Sequence, residues 1–516
     1  MMRFRGGLLL ASVAAISVSG FAQNNGGKVS FANSGSKSAQ APFLNGLAML
    51  HNFEYDIAAK DFREAEAIDP DFAMAYWGEA MTHNHPVWNQ QNRHAGLAVL
   101  GRLSATPEER LAKAHTEREK DYLRTLDVLY AEGPKPERDR RYAETMAKLY
   151  AKYPNDVEAA AFYGLALLGS QEGVRNERVY MQAAGILIPL FYKYPHHPGI
   201  AHYLIHSCDD PIHAPLALPA ARAYSKIAPD AAHAQHMTSH IFLALGMWND
   251  VVQANEAAMR VANEQRAAEG KPAGHCGHYS YWLEYGYLET GQMEKAKQGL
   301  LECRADAVRA QEAALARNAV DPDDSNLSSY IEMQNRFVVD TAQWEGGDAA
   351  SLSQASENAM LQFSQDYGAG LAAAERGDLQ VARKSLSEME ALLPRIPTMF
   401  DREGSAADEP ERLVPEIERE QVQALILADE GKLDEAVTVA RKAAEAEMKL
   451  PYAFGPPEPA KPSYELLAEL LMKENQPRLA LAAVKESLLR APNRTQSLAL
   501  RERASAAVSG AGSPAD

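Results

Sequence analysis

The stretch PHHPGIAHYLIHSCDDPIHAPLALPAARAYSKIAP, residues 195–229, begins and ends with proline, and the two prolines are 34 residues apart. In its second half Ala217, Ala221 and Tyr224 recur at helical spacing, which predicts a helix with one buried stripe of side chains. The proline that follows cannot continue such a helix. The segment therefore predicts a pair of helices that repeats with a period of 34 residues.

The same frame returns along most of the chain. Small or aromatic residues at packing positions, in most cases followed by proline, recur in residues 58–70, 142–154, 183–195, 217–229, 377–394, 431–443 and 480–492. Glycines in the segments LGMW, ETGQ, ERGD and DEGK stand where a first helix ends and needs a permissive backbone. No alternating strand pattern competes with these repeats, so we expect an all-α protein with almost no sheet.

This composition and periodicity resemble the tetratricopeptide-repeat (TPR) family over roughly residues 40–500. The resemblance implies a right-handed TPR α-solenoid of about eight to ten helix-turn-helix repeats, some of them degenerate, whose first helices line a concave groove. It also implies a peptide or protein partner held in that groove. Several segments, among them YPHHPGIAHYLIHSCDDP and AHAQHMTSHIFLALGMW, resemble exported bacterial TPR proteins of no established activity. That likeness implies fold and location but no chemistry.

The N-terminus has the features of a secretory signal peptide. Arg3 and Arg5 precede an apolar run, residues 8–18, and a small-residue exit that ends at Ala22. This pattern predicts cleavage after Ala22 and export to the periplasm or the extracellular space. The apolar run is too short to span a bilayer and no later candidate follows, so we expect no membrane insertion.

Composition and repeat register divide the chain further. We expect a signal peptide at 1–22, a flexible leader at 23–40 and an N-terminal repeat array with a histidine-rich groove at 41–304. Degenerate helical repeats and loops follow at 305–416, C-terminal repeats at 417–504 and a disordered tail at 505–516. The segment LPYAFGPPEPAKPS, residues 450–463, is predicted to be a proline-rich loop before the last repeat.

The charge excludes one class of partner. The 516-residue chain carries a formal net charge of −17, and removal of Arg3 and Arg5 with the signal peptide makes it more acidic. An acidic protein repels the phosphates of nucleic acid, so we expect no nucleic-acid partner.

Two histidine pairs stand in corresponding positions of neighbouring repeats. His202 and His206 occupy the fifth and ninth slots of one repeat, and His236 and His240 occupy the same slots of the next. Residues four apart share one helical face, and helices in contact lie about 8–10 Å apart. Imidazole is a common ligand of zinc and copper. The spacing therefore predicts that four imidazoles converge on one patch that could hold a metal ion.

Other residues extend this groove. Second slots carry His233 and His278, and the fifth and ninth slots of the third repeat carry Tyr281 and Tyr285. Asp209 and His213, in the turn after the first pair, are weaker metal-ligand candidates.

The thiols and possible catalytic bases lead to separate predictions. Cys208 and Cys303 fall at packing slots and are interpreted as buried small hydrophobes, whereas Cys276 is a candidate for metal or redox chemistry. Neither histidine pair encloses the glutamate of a His-Glu-x-x-His protease motif, so a hydrolase would need a base such as Asp209, Asp210 or Glu284.

Three functions remain open at this point. The first is an exported scaffold that binds a peptide or protein in its groove. The second is a zinc or copper metalloprotein, and this includes a metal-dependent enzyme. The third is a pH-dependent binder whose clustered histidines become protonated over the same pH range.

Overall fold

The computed structural model describes residues 25–171, 175–316, 326–343, 358–396 and 413–510. The α-helices run in chain order as α1 Gln40–His51, α2 Tyr55–Ile68, α3 Ala73–Met81, α4 Arg93–Leu103, α5 Pro107–Lys113, α6 Glu117–Leu129, α7 Lys135–Lys152, α8 Val157–Gly169, α9 Glu177–Lys193, α10 Pro198–Ser207, α11 Ala214–Ile227, α12 Ala232–Ala244, α13 Trp248–Ala268, α14 His278–Glu289, α15 Met293–Leu315, α16 Asn326–Thr341, α17 Ala359–Glu375, α18 Leu379–Leu392, α19 Leu413–Asp429, α20 Leu433–Glu447, α21 Ser463–Lys473, α22 Pro477–Arg490 and α23 Thr495–Gly510.

Little else is regular in the described chain. Two two-residue strands, β1 Asn84–His85 and β2 Gln90–Gln91, pair antiparallel around a 3-10 turn at Pro86–Trp88. Further 3-10 turns lie at Lys37–Ala39 and Leu393–Arg395. The prediction of an all-α protein is confirmed. No helix in the described ranges is both long enough and apolar enough to cross a membrane.

The helices form a solenoid of hairpins. Each helix packs mainly on the next one along the chain, and first helices also contact each other, as α8 with α10 and α10 with α12. The predicted helical-repeat array is therefore confirmed. Alanine at the predicted packing slots, such as Ala217 and Ala221 in α11, is fully buried and lets neighbouring helices approach closely.

The array curls back so that its C-terminal part contacts its middle. The Trp248 indole N–H donates to the Asn493 carbonyl at 3.0 Å, and the Asn493 amide donates to the Leu245 carbonyl at 3.2 Å. Gly246 ends α12 with φ +65°, and a Cβ there would come within 2.7 Å of the Pro492 carbonyl oxygen. This position therefore needs glycine both for its left-handed backbone and for the close approach.

The proline-rich loop, residues 450–463, lies across the inner face of the middle repeats. Gly455 packs against the Trp282 ring so closely that a Cβ would come within 2.8 Å of it. Phe454 lies 5.6 Å from the Arg175 guanidinium. The sequence predicts this loop but not what it covers.

Several domain boundaries differ from the prediction. The predicted boundary at 304/305 falls inside α15, because that helix runs on without interruption. The described part of the predicted flexible leader is packed, since Phe31 is buried between Phe43, Trp77 and Tyr122. The predicted tail is helical as far as Gly510. The predicted signal peptide lies outside the described residues.

The cysteines also differ from the prediction. Cys276, in the loop before α14, and Cys303, on α15, form a disulfide with an S–S distance of 2.05 Å. The interpretation of Cys276 as a free thiol for metal or redox chemistry is therefore wrong, because its partner lies on the neighbouring helix. Cys208 is a buried free thiol, as predicted.

Candidate metal centre

Six histidines on three first helices form two clusters. Triad A consists of His202 and His206 on α10 and His233 on α12. Triad B consists of His236 and His240 on α12 and His278 on α14. Within each triad one nitrogen of every ring lies within 4.8 Å of the others. The triads adjoin, since the ring centroids of His206 and His240 are 6.0 Å apart.

The helical repeat produces this arrangement. The i, i+4 spacing places two histidines on one face of α10 and two on one face of α12. The third member of each triad comes from the second slot of the next first helix, as His233 does for α10 and His278 does for α12. The sequence predicts convergence of His202, His206, His236 and His240 but does not assign His233 and His278 as ligands. His233 and His278 occupy the same slot of their repeats, and this correspondence is the sequence feature that indicates their role as third ligands.

Hydrogen bonds fix the tautomers in triad B. The His236 Nδ1 faces the Asn255 Oδ1 at 2.7 Å, and the Asn255 amide nitrogen donates to a backbone carbonyl. The His240 Nδ1 faces an Asp209 carboxylate oxygen at 2.6 Å. Both Nδ1 atoms therefore carry a proton, and in a neutral ring the Nε2 atom is then a bare lone pair. These two Nε2 atoms are 3.1 Å apart.

Triad A has the same design. The His202 Nδ1 donates to the His51 carbonyl at 2.7 Å, so its Nε2 is also a bare lone pair. That atom lies 3.1 Å from the His206 Nε2 and 3.2 Å from the His233 Nε2. An N–H of His206 or His233 could donate to the His202 Nε2 atom. The Nε2 atoms of all three rings nevertheless converge on one point.

Aromatic rings enclose both triads. The Phe53 ring centroid lies 4.3 Å from that of His202, 5.8 Å from His206 and 5.5 Å from His233. The Trp282 ring centroid lies 4.4 Å from that of His240 and 4.8 Å from His236. These rings restrict the rotation of the imidazoles and keep water away from their edges.

Burial favours the neutral form of four of the six imidazoles. It lowers the pKa of His202, His206, His233 and His236 well below the ordinary value of 6.5, and neighbouring imidazoles lower it further. Desolvation lowers the pKa of His278 to about 3, although this side chain is exposed at the edge of triad B. Neutral imidazole is the form that binds metals, so the ligands need lose no proton at neutral pH.

The aspartates after α10 support the site and lie outside both triads. Asp209 holds His240 by its Nδ1–H and is thus a support for a ligand, not the ligand that the sequence suggests. Asp210 accepts the backbone N–H groups of Ile212 and His213 in the turn before α11 and pairs with Arg175. The other weak candidate, His213, is bound to Asp210 at 2.8 Å, away from both triads.

The two predicted groove tyrosines differ in position. Tyr281 lines a cavity beside triad B. Tyr285 is fully buried, packed against Trp248 and under the Arg336 guanidinium at 5.0 Å. The returning C-terminal repeats bury this slot, and the assignment of Tyr285 to the groove stays a prediction.

A third cluster, His51, Glu158 and His197, is a hydrogen-bonded core network. The His51 Nε2 lies 2.7 Å from Glu158 and its Nδ1 lies 2.9 Å from the Tyr203 hydroxyl. The His197 Nε2 lies 3.1 Å from Glu158, and its Nδ1 accepts the backbone N–H of Ile200. In contrast to the two triads, this cluster contains a carboxylate that accepts from both rings, so its hydrogen bonds are satisfied within the protein.

Comparisons with known proteins add little to this geometry. No protein-family model and no curated protein matches the chain. Among solved structures, yeast Tom70 aligns at 13% identity and a TM-score of 0.36, over 92% of this chain and 96% of that one. The TPR domain of P58(IPK) aligns at 11% identity and a TM-score of 0.21, over 92% and 99%. A human IFIT1 dimer aligns at 14% identity and a TM-score of 0.33, over 92% and 91%. Likenesses this distant carry no argument about ligand or activity.

Proposed function

We propose that this protein is a metalloprotein that holds two transition-metal ions, one in each histidine triad, on the inner face of a helical-repeat scaffold. The observation that carries the proposal is the convergence of the His236 and His240 Nε2 atoms at 3.1 Å, while both Nδ1 atoms already donate to acceptors. Where both rings are neutral, two lone pairs at that distance repel unless a cation lies between them. Either a metal ion or a proton on His240 fills this position, and the titration described below distinguishes the two.

The ligand atoms limit the choice of metal. The triads contain imidazole nitrogens only, without thiolate or carboxylate, and imidazole suits copper and zinc. The Nδ1–H bonds to Asn255, Asp209 and the His51 carbonyl are the outer contacts that orient metal-bound histidines. Copper and zinc are therefore the metals that we expect.

The number of ligands favours a reactive site over a structural one. Three protein ligands leave a tetrahedral ion with one open position, whereas structural zinc sites use four. In two-metal sites the ions lie about 3.5–4 Å apart and together bind the reacting atoms. The two triads adjoin, with the His206 and His240 ring centroids 6.0 Å apart, so the proposed class is metal-dependent chemistry on a small ligand bound between or beside the ions.

Titration of chelator-treated, untagged protein tests the proposal. Copper(II) or zinc(II) added to the stripped protein should bind until about two equivalents are bound. The unfolding temperature should rise with saturation, since a ligand at a hundred times its Kd stabilises by about 2.7 kcal/mol. Absence of saturable binding by both metals would contradict the proposal.

Substitution of Asp209 should weaken metal binding without removing a ligand. Asp209→Ala deletes the acceptor for the His240 Nδ1–H, and loss of such an outer contact costs about 10–100-fold in affinity. Asp209→Asn keeps an acceptor oxygen and should cost less. The measurement is competition titration against a chromophoric chelator, and equal affinities of all three proteins would show that Asp209 plays no part.

We further propose that the protein works outside the reducing cytosol. The Cys276–Cys303 disulfide supports this, because disulfides persist in oxidising compartments such as the periplasm. Together with the signal-peptide pattern of residues 1–22, it favours export.

Peptide binding along the groove stays a prediction. Repeat solenoids generally bind partners on extended concave surfaces. Here residues 450–458 lie over the middle repeats, so the space beside triad B is a bounded cavity that suits a small molecule or one side chain.

A further inference from the structure

A cavity opens onto triad B. Its volume is about 520 Å³, within the usual range for small-molecule sites. Its lining contains His278, Tyr281, Trp282 and Trp88, together with residues of the proline-rich loop between 450 and 458. A ligand in this cavity would therefore lie against the metal ligand His278.

A second cavity, of about 450 Å³, adjoins the first. The two share wall residues, which are Tyr281, Glu332, Val414, Pro456 and Glu458. Glu418 lines the second cavity only. The two cavities therefore lie side by side, and residues of α16 and α19 line the second one.

Three acidic side chains lie on these walls. Glu332, Glu418 and Glu458 line the space, and none of them forms an ion pair among the described residues. The Ser328 hydroxyl donates to Glu332 at 3.4 Å. Desolvation by the surrounding protein, followed by the charge of Glu458, raises the pKa of Glu332 to about 7, and desolvation raises the pKa of Glu418 and Glu458 as well, although Glu332 and Glu458 are exposed on the cavity wall. The charge of Arg336 opposes the shift at Glu458, whereas no cation among the described residues does so at Glu332 or Glu418.

The two arginines near the cavity form hydrogen bonds to other groups of the protein. Arg175 lines the first cavity, but its guanidinium pairs with Asp210 and donates to the carbonyls of Ser207 and Asp209. Arg336 is fully buried behind the wall and donates to the carbonyls of Pro457 and Ala460. Both arginines thus have partners inside the protein, and the charge of Arg336 also lowers the pKa of Glu458.

Aromatic rings complete the walls. Trp88, Tyr281 and Trp282 line the first cavity near His278, and Tyr180, Tyr452 and Phe454 line it further out. Aromatic faces attract cations and pack well on flat apolar bodies. The combination of carboxylates and aromatic rings is suited to an organic ammonium or guanidinium ion.

We propose that this cavity binds an organic cation, with its ammonium or guanidinium group at Glu332 and Glu458 and its aromatic or apolar body against Trp88 and Trp282, beside His278. The part of the inference that makes this ligand the substrate of the metal centre rests on the proposed function. The preference for a cation does not, because it depends on the wall carboxylates alone.

Three probes of similar shape and different charge test the preference. Tyramine is cationic, 4-ethylphenol is neutral and 3-(4-hydroxyphenyl)propionate is anionic. Calorimetric titration of the full chain at pH 8 should give tyramine an affinity at least about tenfold higher than that of either other probe. Equal affinities, no binding of tyramine, or a preference for the anion would overturn the inference.

Two double variants test whether the preference for a cation depends on the cavity carboxyls. Glu332→Gln with Glu458→Gln should lower the affinity for tyramine about tenfold and leave 4-ethylphenol unchanged. Glu108→Gln with Glu502→Gln, two exposed positions away from the cavity, is the matched control and should change neither. An unchanged affinity for tyramine in the cavity variant would overturn the inference. Each titration is made on chelator-treated and on metal-loaded protein, so a failure of the metal proposal leaves the charge preference separately measurable.

Discussion

Replacement of His236 and His240 by alanine should lower the bound metal from about two ions per chain to about one. Both Nε2 atoms belong to triad B, whereas triad A keeps its three ligands on α10 and α12. The measurement is elemental analysis of untagged protein after dialysis against a weak chelator. Replacement of His202 and His206 should have the mirror effect, because it removes two ligands of triad A.

The control is His196→Ala. His196 lies in the exposed turn before α10 and belongs to neither triad, so this variant should keep both ions. Circular dichroism checks that each variant retains its helices, and His240→Asn replaces the alanine variant where it does not. Retention of both ions by either double variant would contradict the assignment of ligands.

Metal-loaded protein should keep its ions when the pH falls from 7.5 to 5.5. A proton competes with the metal for the same Nε2 lone pair, so a lowered pKa weakens the competitor and moves metal release to lower pH. Burial lowers the pKa of His202, His206, His233 and His236 well below 6.5, and that of His278 to about 3. An exposed imidazole of pKa about 6.5 would be about nine-tenths protonated at pH 5.5.

Metal content after equilibrium dialysis at stepped pH measures this. Release of half the metal below pH 5 would agree with metal binding by the histidine triads. Half-release between pH 6 and 6.5 would instead show ordinary exposed histidines and would contradict the buried triads. The His196→Ala variant should release metal at the same pH as the unaltered protein, since its side chain is outside both triads.

The sequence predicts the repeat and the neighbourhood of the site, because both follow from local periodicity. The 34-residue period and the i, i+4 pairs are enough to bring His202, His206, His236 and His240 together. The division into two triads is less visible, since it depends on how a second-slot side chain reaches the helix before it. His233 joins the pair on α10, and His278 joins the pair on α12.

Contacts between distant parts of the chain cannot be predicted from local periodicity. The Cys276–Cys303 disulfide depends on the packing of a loop against α15. Tyr285 is buried because Arg494, more than two hundred residues later, folds back against the same helix. The same return places the proline-rich loop on Trp282 and encloses the cavity. Periodicity within one repeat carries no information on these contacts.

The central claim is tested most directly by anomalous X-ray scattering from crystals of untagged, metal-loaded protein at the metal absorption edge. We expect two anomalous peaks per chain, one within each triad, each about 2.0–2.1 Å from three imidazole nitrogens. Peaks confined to surface residues, or no peak among His202, His206, His233, His236, His240 and His278, would contradict it.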